Sequence, residues 1–257
     1  MVGASVNKKL YHILTGKLGV FQFRYEPSIA DIEFKDNEII IIHSSFDINL
    51  ANDWNPEDYM VDKLKREIEL CGKVGAYAFV VHFGKSMALS QSRANNNMIS
   101  LLIHVHNATI KYRQIFLLLE TSAGQGTEMY YKLDDLANFY NKLQLIKVNG
   151  FFNRIRLCVD TCHIHVAGSD ISTPALAQNY LDDFDAKIGL DHIKLIHLNG
   201  SAPEAGSRLD RHAPIGMGTI SLESLQLFYD TFINRNVPLV LETQGDMLEQ
   251  IKKFILN

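Results

Sequence analysis

The chain has 257 residues, 47% of them hydrophobic, and a formal charge of −4 at neutral pH. That length suits one α/β domain with its own core, so residues 1–257 read as a single domain. No apolar run approaches the ~20 residues that cross a bilayer, and MVGASVNKKLYHIL lacks a signal-peptide cleavage pattern, so a soluble, intracellular protein with no membrane partner is expected. The acidic balance also lacks the basic footprint usual in nucleic-acid proteins.

Strand-like runs fall at Val2 to Ser5, Val20 to Arg24, Ile39 to His43, Ala76 to His82, Ile115 to Glu120, Arg156 to Asp160, Ile193 to Leu198 and Pro238 to Glu242. Between them lie helical patterns at Pro56 to Cys71, Ala94 to Tyr112, Leu133 to Val148, Pro174 to Gly189 and Leu222 to Asn234, and Met247 to Leu256 closes the ring. After Arg24, YEPSIADIEFKDNE is too short and too acidic for a full crossover helix, so the second β/α unit is predicted to be reduced. Eight alternations with short connections and no linker argue for parallel strands closed into a TIM (β/α)8 barrel.

Six of these runs end in a residue type that binds metals: IIIIHSS at His43, FVVHFG at His82, FLLLET at Glu120, LCVDTCH at Asp160 and His163, KLIHLN at His197 and LVLET at Glu242. Asp210 and His212 in SRLDRH belong to the long loop after the His197 run. Barrel active sites gather at that C-terminal edge. Imidazoles and carboxylates without thiolates suit zinc, manganese or iron, with zinc favoured where histidine dominates. One ion needs three or four protein ligands, so nine candidates point to at least two ions about 3.5 to 4 Å apart, the arrangement used for phosphate-ester hydrolysis. Five histidines and four carboxylates can serve three ions. Three divalent ions would bring the formal charge to about +2, focused in the cleft, so the acidic balance does not exclude DNA.

Other candidates have structural readings. Cys71, Cys158 and Cys162 are odd in number without CxxC spacing, and read as reduced packing residues. His104 and His106 point to different faces of a helix, and His165 and His192 flank motifs without completing one.

ETSAGQG (Glu120 to Gly126), VDTCH (Val159 to His163), HLN (His197 to Asn199), GSRLDRHAPIG (Gly206 to Gly216) and LET (Leu241 to Thr243) closely resemble the signature segments of the endonuclease IV family of apurinic/apyrimidinic endonucleases. The match runs from about His43 to Glu242. The resemblance implies a zinc-dependent DNA-repair hydrolase with three Zn2+ ions, Mn2+ being a possible substitute. Its substrate would be duplex DNA containing abasic sites, cut on the 5′ side to leave a 3′-hydroxyl and a 5′-deoxyribose phosphate. Carried over residue by residue, it implies His43 and His82 on the first ion and Glu120 bridging to the second. Asp160, His197 and Glu242 would complete the second, with His163, Asp210 and His212 on the third. A metal-activated water would attack the phosphate in line while the third ion stabilises the leaving oxygen.

For DNA contacts, the resemblance points to Gly124, Gln125 and Gly126, where glycine permits close backbone approach. Phe46 stands where the family commonly has an aromatic hydroxyl, followed by Asp47 in place of an apolar residue. The loop after the second strand, which usually inserts into the base stack, is abbreviated, leaving Arg24 and Tyr25 as candidates. Lys85 in HFGKS, where the histidine is not followed by the usual proline, and Arg208 and Arg211 beside Asp210 are phosphate candidates. The protein is expected to act as a monomer. Two rival readings are a metal-dependent sugar isomerase or epimerase on the same barrel, which leaves the Asp210 and His212 cluster unexplained, and an inactive DNA-binding relative, which should lack a ligand.

Overall fold

The computed structural model describes residues 1–255. Eight parallel strands close into a barrel: β1 (Val2–Val6), β2 (Val20–Arg24), β3 (Ile39–His43), β4 (Ala78–His82), β5 (Phe116–Glu120), β6 (Ile155–Asp160), β7 (Ile193–His197) and β10 (Leu239–Leu241). Pairing runs in sequence order from β1 to β7, and the ring closes where Val2 to Ala4 meet Leu239 to Leu241. Two short strands, β8 (Gly200–Ser201) and β9 (His212–Ala213), form a separate antiparallel pair in the long loop after β7.

Alternation along each strand builds two cores. Phe21, Phe23, Ile40, Ile42, Phe79, Leu117 and Leu119 point outward into the main cluster beneath the helices. Val20, Ile41, Ala78, Val80, Leu118, Cys158, Leu195 and Val240 point inward and fill the barrel with an apolar plug. Gly3 faces this interior, where a Cβ would lie 1.9 Å from the Val20 carbonyl oxygen, so only glycine fits between β1 and β2.

The outer ring consists of α1 (Lys8–Leu14), α2 (Tyr59–Lys73), α3 (Gln91–Ala108), α4 (Leu133–Gln144), α5 (Phe151–Arg154), α6 (Thr161–Val166), α7 (Pro174–Lys187), α8 (Leu222–Ile233) and α9 (Met247–Ile255). The predicted end of α9 at Leu256 lies outside the described residues. The second unit is reduced as the sequence indicates: β2 and β3 are joined by one 3-10 turn, Pro27–Asp31, whose Ile29 is fully buried. Caps explain two shifted boundaries. The Ser90 hydroxyl accepts from Arg93 N, starting α3 three residues before Ala94. Asp58 accepts from Asn55 N, closing a turn over Pro56 and Glu57, so α2 begins only at Tyr59. Helix α1 occupies a segment to which no helical pattern is assigned, and starts where Asn7 accepts from Leu10 N.

Arg154 ties the end of α3 to the starts of β5 and β6. It is 1% exposed and donates to the carbonyls of Ile115 (3.0 Å) and Thr109 and to the Thr109 hydroxyl (2.9 Å). A cation beside the C-terminal carbonyls of a helix complements their partial negative charge. Arg154→Leu removes the side-chain donor from the Ile115 carbonyl and the Thr109 hydroxyl, while the Thr109 carbonyl keeps its bond from Tyr112 N. It should cost about 2–4 kcal/mol of unfolding free energy, measured by urea denaturation, with far-UV circular dichroism unchanged.

Candidate metal centre

The same alternation that fills the barrel raises the candidate ligands above it. Two residues after each plug residue, on the same inward face, come His43 after Ile41, His82 after Val80, Glu120 after Leu118, Asp160 after Cys158, His197 after Leu195 and Glu242 after Val240. Together they form a layer at the C-terminal mouth. The β8–β9 hairpin folds over this layer and delivers Asp210 and His212, while Asp160 caps α6 by accepting from His163 N (3.0 Å) and so directs His163 inward.

Glu120 is the centre of the layer. It is 1% exposed, with one carboxylate oxygen 3.0 Å from His43 Nε2 and 3.5 Å from His82 Nε2, and the other 2.9 Å from His197 Nδ1 and 3.5 Å from His163 Nδ1. His197 Nδ1 also lies 3.2 Å from Glu242 and 3.7 Å from Asp160. Across the mouth, Asp210 is 3.3 Å from His163 Nε2 and 3.2 Å from His212 Nε2, and His212 Nε2 is 3.5 Å from Asp160.

Among the described residues, three of the four ligand-sized groupings use only the nine candidates: His43, His82 and Glu120; Glu120, Asp160, His197 and Glu242; and Asp160, His163 and His212. Within each, the donor atoms lie within 4.8 Å of one another. Glu120 and Asp160 each belong to two of them. In the fourth, the buried Cys162 joins Asp210 and His212. Burial pushes that thiol up to about 12, so it stays protonated, as a packing residue would. The donor set fits divalent cations: the Nε2 atoms of His163 and His212 are buried without a hydrogen-bond partner, and both face carboxylate oxygens.

Backbone carbonyls orient several of the rings. His43 Nδ1 donates to Ser44 O at 3.0 Å and His163 Nδ1 to Thr121 O at 2.8 Å, which turns each Nε2 toward the site. Two buried amides absent from the sequence-based candidates complete the layer. Gln22 contacts His197 and Glu242. Asn199 donates to Asp160 Oδ2 at 2.7 Å and accepts from Glu242 N at 2.8 Å. Gln22 follows the plug residue Val20 by two positions, so the signal that marks the ligands was present for it as well.

The candidates for DNA contact line the rim. Phe46 is 79% exposed and covers the Arg24 guanidinium, 3.4 Å from its ring centre. Arg24 itself is half-buried and donates to Ser44 O, so it serves as a backing for Phe46. The charge of Asp47 is matched by Lys63 at 2.6 Å. Lys85 pairs with Glu128 at 3.3 Å, and Glu128 also accepts from Gln125 N, joining the two loops around a cavity of about 260 Å³ beside His82. Gly124 (φ +82°) and Gly126 (φ +55°) have left-handed backbones, and a Cβ on Gly124 would sit 3.0 Å from the Tyr131 ring. Arg208 lies over that same Tyr131 ring, 4.5 Å from its centre, and donates to Tyr131 Oη at 2.7 Å, while Arg211 is exposed and donates to the Asp210 carbonyl. Four other histidines are structural: His106 contacts Asn149 O, His104 packs on Trp54, His165 contacts Thr219 and His192 contacts Tyr140.

Fold and site define an α/β barrel of the xylose isomerase-like TIM barrel class, whose family description matches residues 30–250. A Mycoplasma pneumoniae protein described as "Probable endonuclease 4" is 34% identical over 208 residues, covering 80% of this chain and 68% of that protein. Apurinic-apyrimidinic endonuclease 1 of Schizosaccharomyces pombe is 29% identical over 233 residues, covering 90% and 66%. Endonuclease IV from Thermus thermophilus superposes with a TM-score of 0.75 at 23% identity, covering 99% of this chain and 96% of its own, a likeness of fold. The chain belongs to the endonuclease IV family.

Packing imidazoles against carboxylates sets the charge state of the site. Burial by itself would raise the Glu120 carboxyl, but His82, then His197 and His43, hold it well below the ordinary range. Burial opposes charging His212, but Asp160 and then Asp210 lift it to about 9, and the same carboxylates raise His163. In chelated protein these raised imidazoles stabilise the fold fully below their ordinary value of ~6.5, and that contribution disappears as pH rises through about 9. The melting temperature of EDTA-treated protein should therefore fall between pH 6.5 and 9 relative to a His212→Ala variant treated identically. Parallel curves for the two proteins would refute this.

Proposed function

We propose that this chain is a DNA-repair phosphoric ester hydrolase, an apurinic/apyrimidinic endonuclease that cuts duplex DNA 5′ to abasic sites and holds three zinc ions, with manganese as a substitute. The observation that carries the reading is the run of overlapping ligand groups at one barrel mouth, joined through Glu120 and Asp160. Sugar isomerisation on the same fold would use two ions on adjacent oxygens, and gives no role to Asp210 and His212 on their hairpin or to the loop of Gly124 to Gly126. All nine candidate residues are present and gather at one mouth, which supports an active enzyme over an inactive DNA-binding relative.

His43 and His82 with Glu120 would hold one ion, Glu120 with Asp160, His197 and Glu242 a second, and His163, Asp210 and His212 a third. Bound together, such ions neutralise a phosphodiester, lower the pKa of water and stabilise the leaving oxygen. The chain does the rest. Glu120, charged at neutral pH and sealed from solvent, offsets the clustered positive charge and fixes the spacing of its neighbours. Asp210 and His212 place a donor group on the hairpin, across the mouth from Glu120. At the rim, Arg211 and the Arg208–Tyr131 pair would meet phosphates, and Lys85 would reach one by releasing Glu128. Phe46 offers an apolar face beside the opening, in place of the shortened β2 loop.

The direct test is a duplex with a single tetrahydrofuran abasic analogue, which undergoes hydrolysis but not β-elimination. Cleavage 5′ to the analogue, leaving a 3′-hydroxyl, is expected, and an intact duplex with fully metal-loaded protein would sink the reading. Glu120→Gln removes the shared negative charge without changing shape. It should abolish most cleavage while largely retaining DNA binding in a gel-shift assay. His212→Ala should release about one ion of three and slow single-turnover cleavage about 100-fold or more. Elemental analysis read beside the rate checks this, and full activity after loss of an ion would remove the third group from the mechanism.

A further inference from the structure

We infer that Gln22 is a positioning residue of the metal centre: it fixes the proton of His197 on Nε2 and holds one oxygen of Glu242, so that each presents a single defined donor atom to the cation they share. This rests on the metal-binding part of the proposed function. Gln22 is fully buried in the middle of β2, inward-facing, and its amide reaches across the β1–β10 seam to two candidate ligands on the neighbouring strands β7 and β10. Its Nε2 lies 2.6 Å from Glu242 Oε1 and its Oε1 lies 2.8 Å from His197 Nε2.

The amide orientation follows from chemistry. Glu242 is a carboxylate and can only accept, so the Gln22 group facing it must be the NH2. The carbonyl oxygen of Gln22 then faces His197, which must donate, so His197 Nε2 carries hydrogen. With Nε2 committed to Gln22, Nδ1, which faces Glu120, Glu242 and Asp160, is the nitrogen left for a cation, which would displace the proton it shares with Glu120. His197 is thus opposite in sense to His43 and His163, whose Nδ1 atoms donate to backbone carbonyls and whose Nε2 atoms face the site. Among the described residues, no backbone carbonyl is paired with His197 Nε2, so Gln22 sets its tautomer. At the other end, engaging Glu242 Oε1 leaves Oε2, 3.2 Å from His197 Nδ1, as the free donor. Residues that orient metal ligands in this way typically change metal affinity by about 10- to 100-fold when removed.

Two measurements test the role without relying on DNA cleavage. In the zinc-loaded parent protein, long-range proton–nitrogen NMR of the imidazoles should show His197 protonated at Nε2 and metal-bound at Nδ1. A proton on Nδ1 would overturn the assignment. Dialysis of Gln22→Leu against graded free-zinc buffers, followed by elemental analysis, should show one ion per chain lost at zinc concentrations about 10- to 100-fold above those that empty the parent. Gln22→Glu, which can still accept from His197 but repels Glu242, should fall between Leu and the parent. Gln22→Leu and Gln22→Glu retaining zinc as the parent does would overturn the inference. If the parent binds zinc with this dependence yet leaves abasic duplex uncut, the proposed function fails and the role of Gln22 stands. If the parent cuts abasic duplex while neither variant alters zinc binding, the reverse holds.

Discussion

A single carboxylate governs this barrel mouth. Glu120 is sealed from water with four imidazole nitrogens within 3.5 Å, and a buried charge is tolerable only when opposite charge and hydrogen bonds surround it. The neighbours that satisfy Glu120 come from β3, β4, β7 and α6, so its environment exists only when the ring is closed and in register. A slip of one residue in any of these strands would turn its ligand outward into the helix layer and leave a plug residue in the mouth.

That constraint explains why so much was legible in the chain itself. Strand positions and candidate ligand positions are the same signal: an apolar run of strand length whose last inward residue is histidine or carboxylate. The reduced second unit was legible because a segment of that length and acidity cannot build a crossover helix, and Ile29 and Ile32 provide its buried anchor. Gln22 obeyed the same positional rule but belonged to no ligand type, so residue chemistry hid what periodicity displayed. Helix α1 was missed because seven residues hold too few turns for a periodic pattern, and its start depends on the Asn7 side chain.

The rim was the least legible part, because its properties arise from pairings between distant segments. Arg24 and Phe46 each look like a free DNA contact in the sequence, yet they stack on one another, and only the aromatic face remains open. Asp47 looks like an unfavourable charge beside DNA until Lys63 on α2 is seen to neutralise it. Beneath both, the fully buried Glu67 of α2 accepts from the Ser45 hydroxyl and backbone amide, fixing the loop that carries Phe46. Gly124 likewise owes its identity less to anything outside the protein than to the Tyr131 ring packed against it and to a left-handed backbone.

The abbreviated crossover between β2 and β3 also bears on how the chain folds. Gly3 pairs with Val20, and Val20 with Ile39, each less than twenty residues apart in sequence, whereas Ile41 pairs with Ala78 and Leu117 with Ile155 across nearly twice that distance. Chain closure costs less entropy for shorter loops, so the first three strands form the most local nucleus in the molecule. The last junction, Val2 with Leu239, joins residues near opposite ends of the chain and is the most expensive to form. Glu242, one residue beyond β10, arrives with that junction, so the ligand layer is completed only as the ring closes. Cations held by the candidate ligands would therefore favour the closed barrel over any open precursor, as a latch on its longest-range junction.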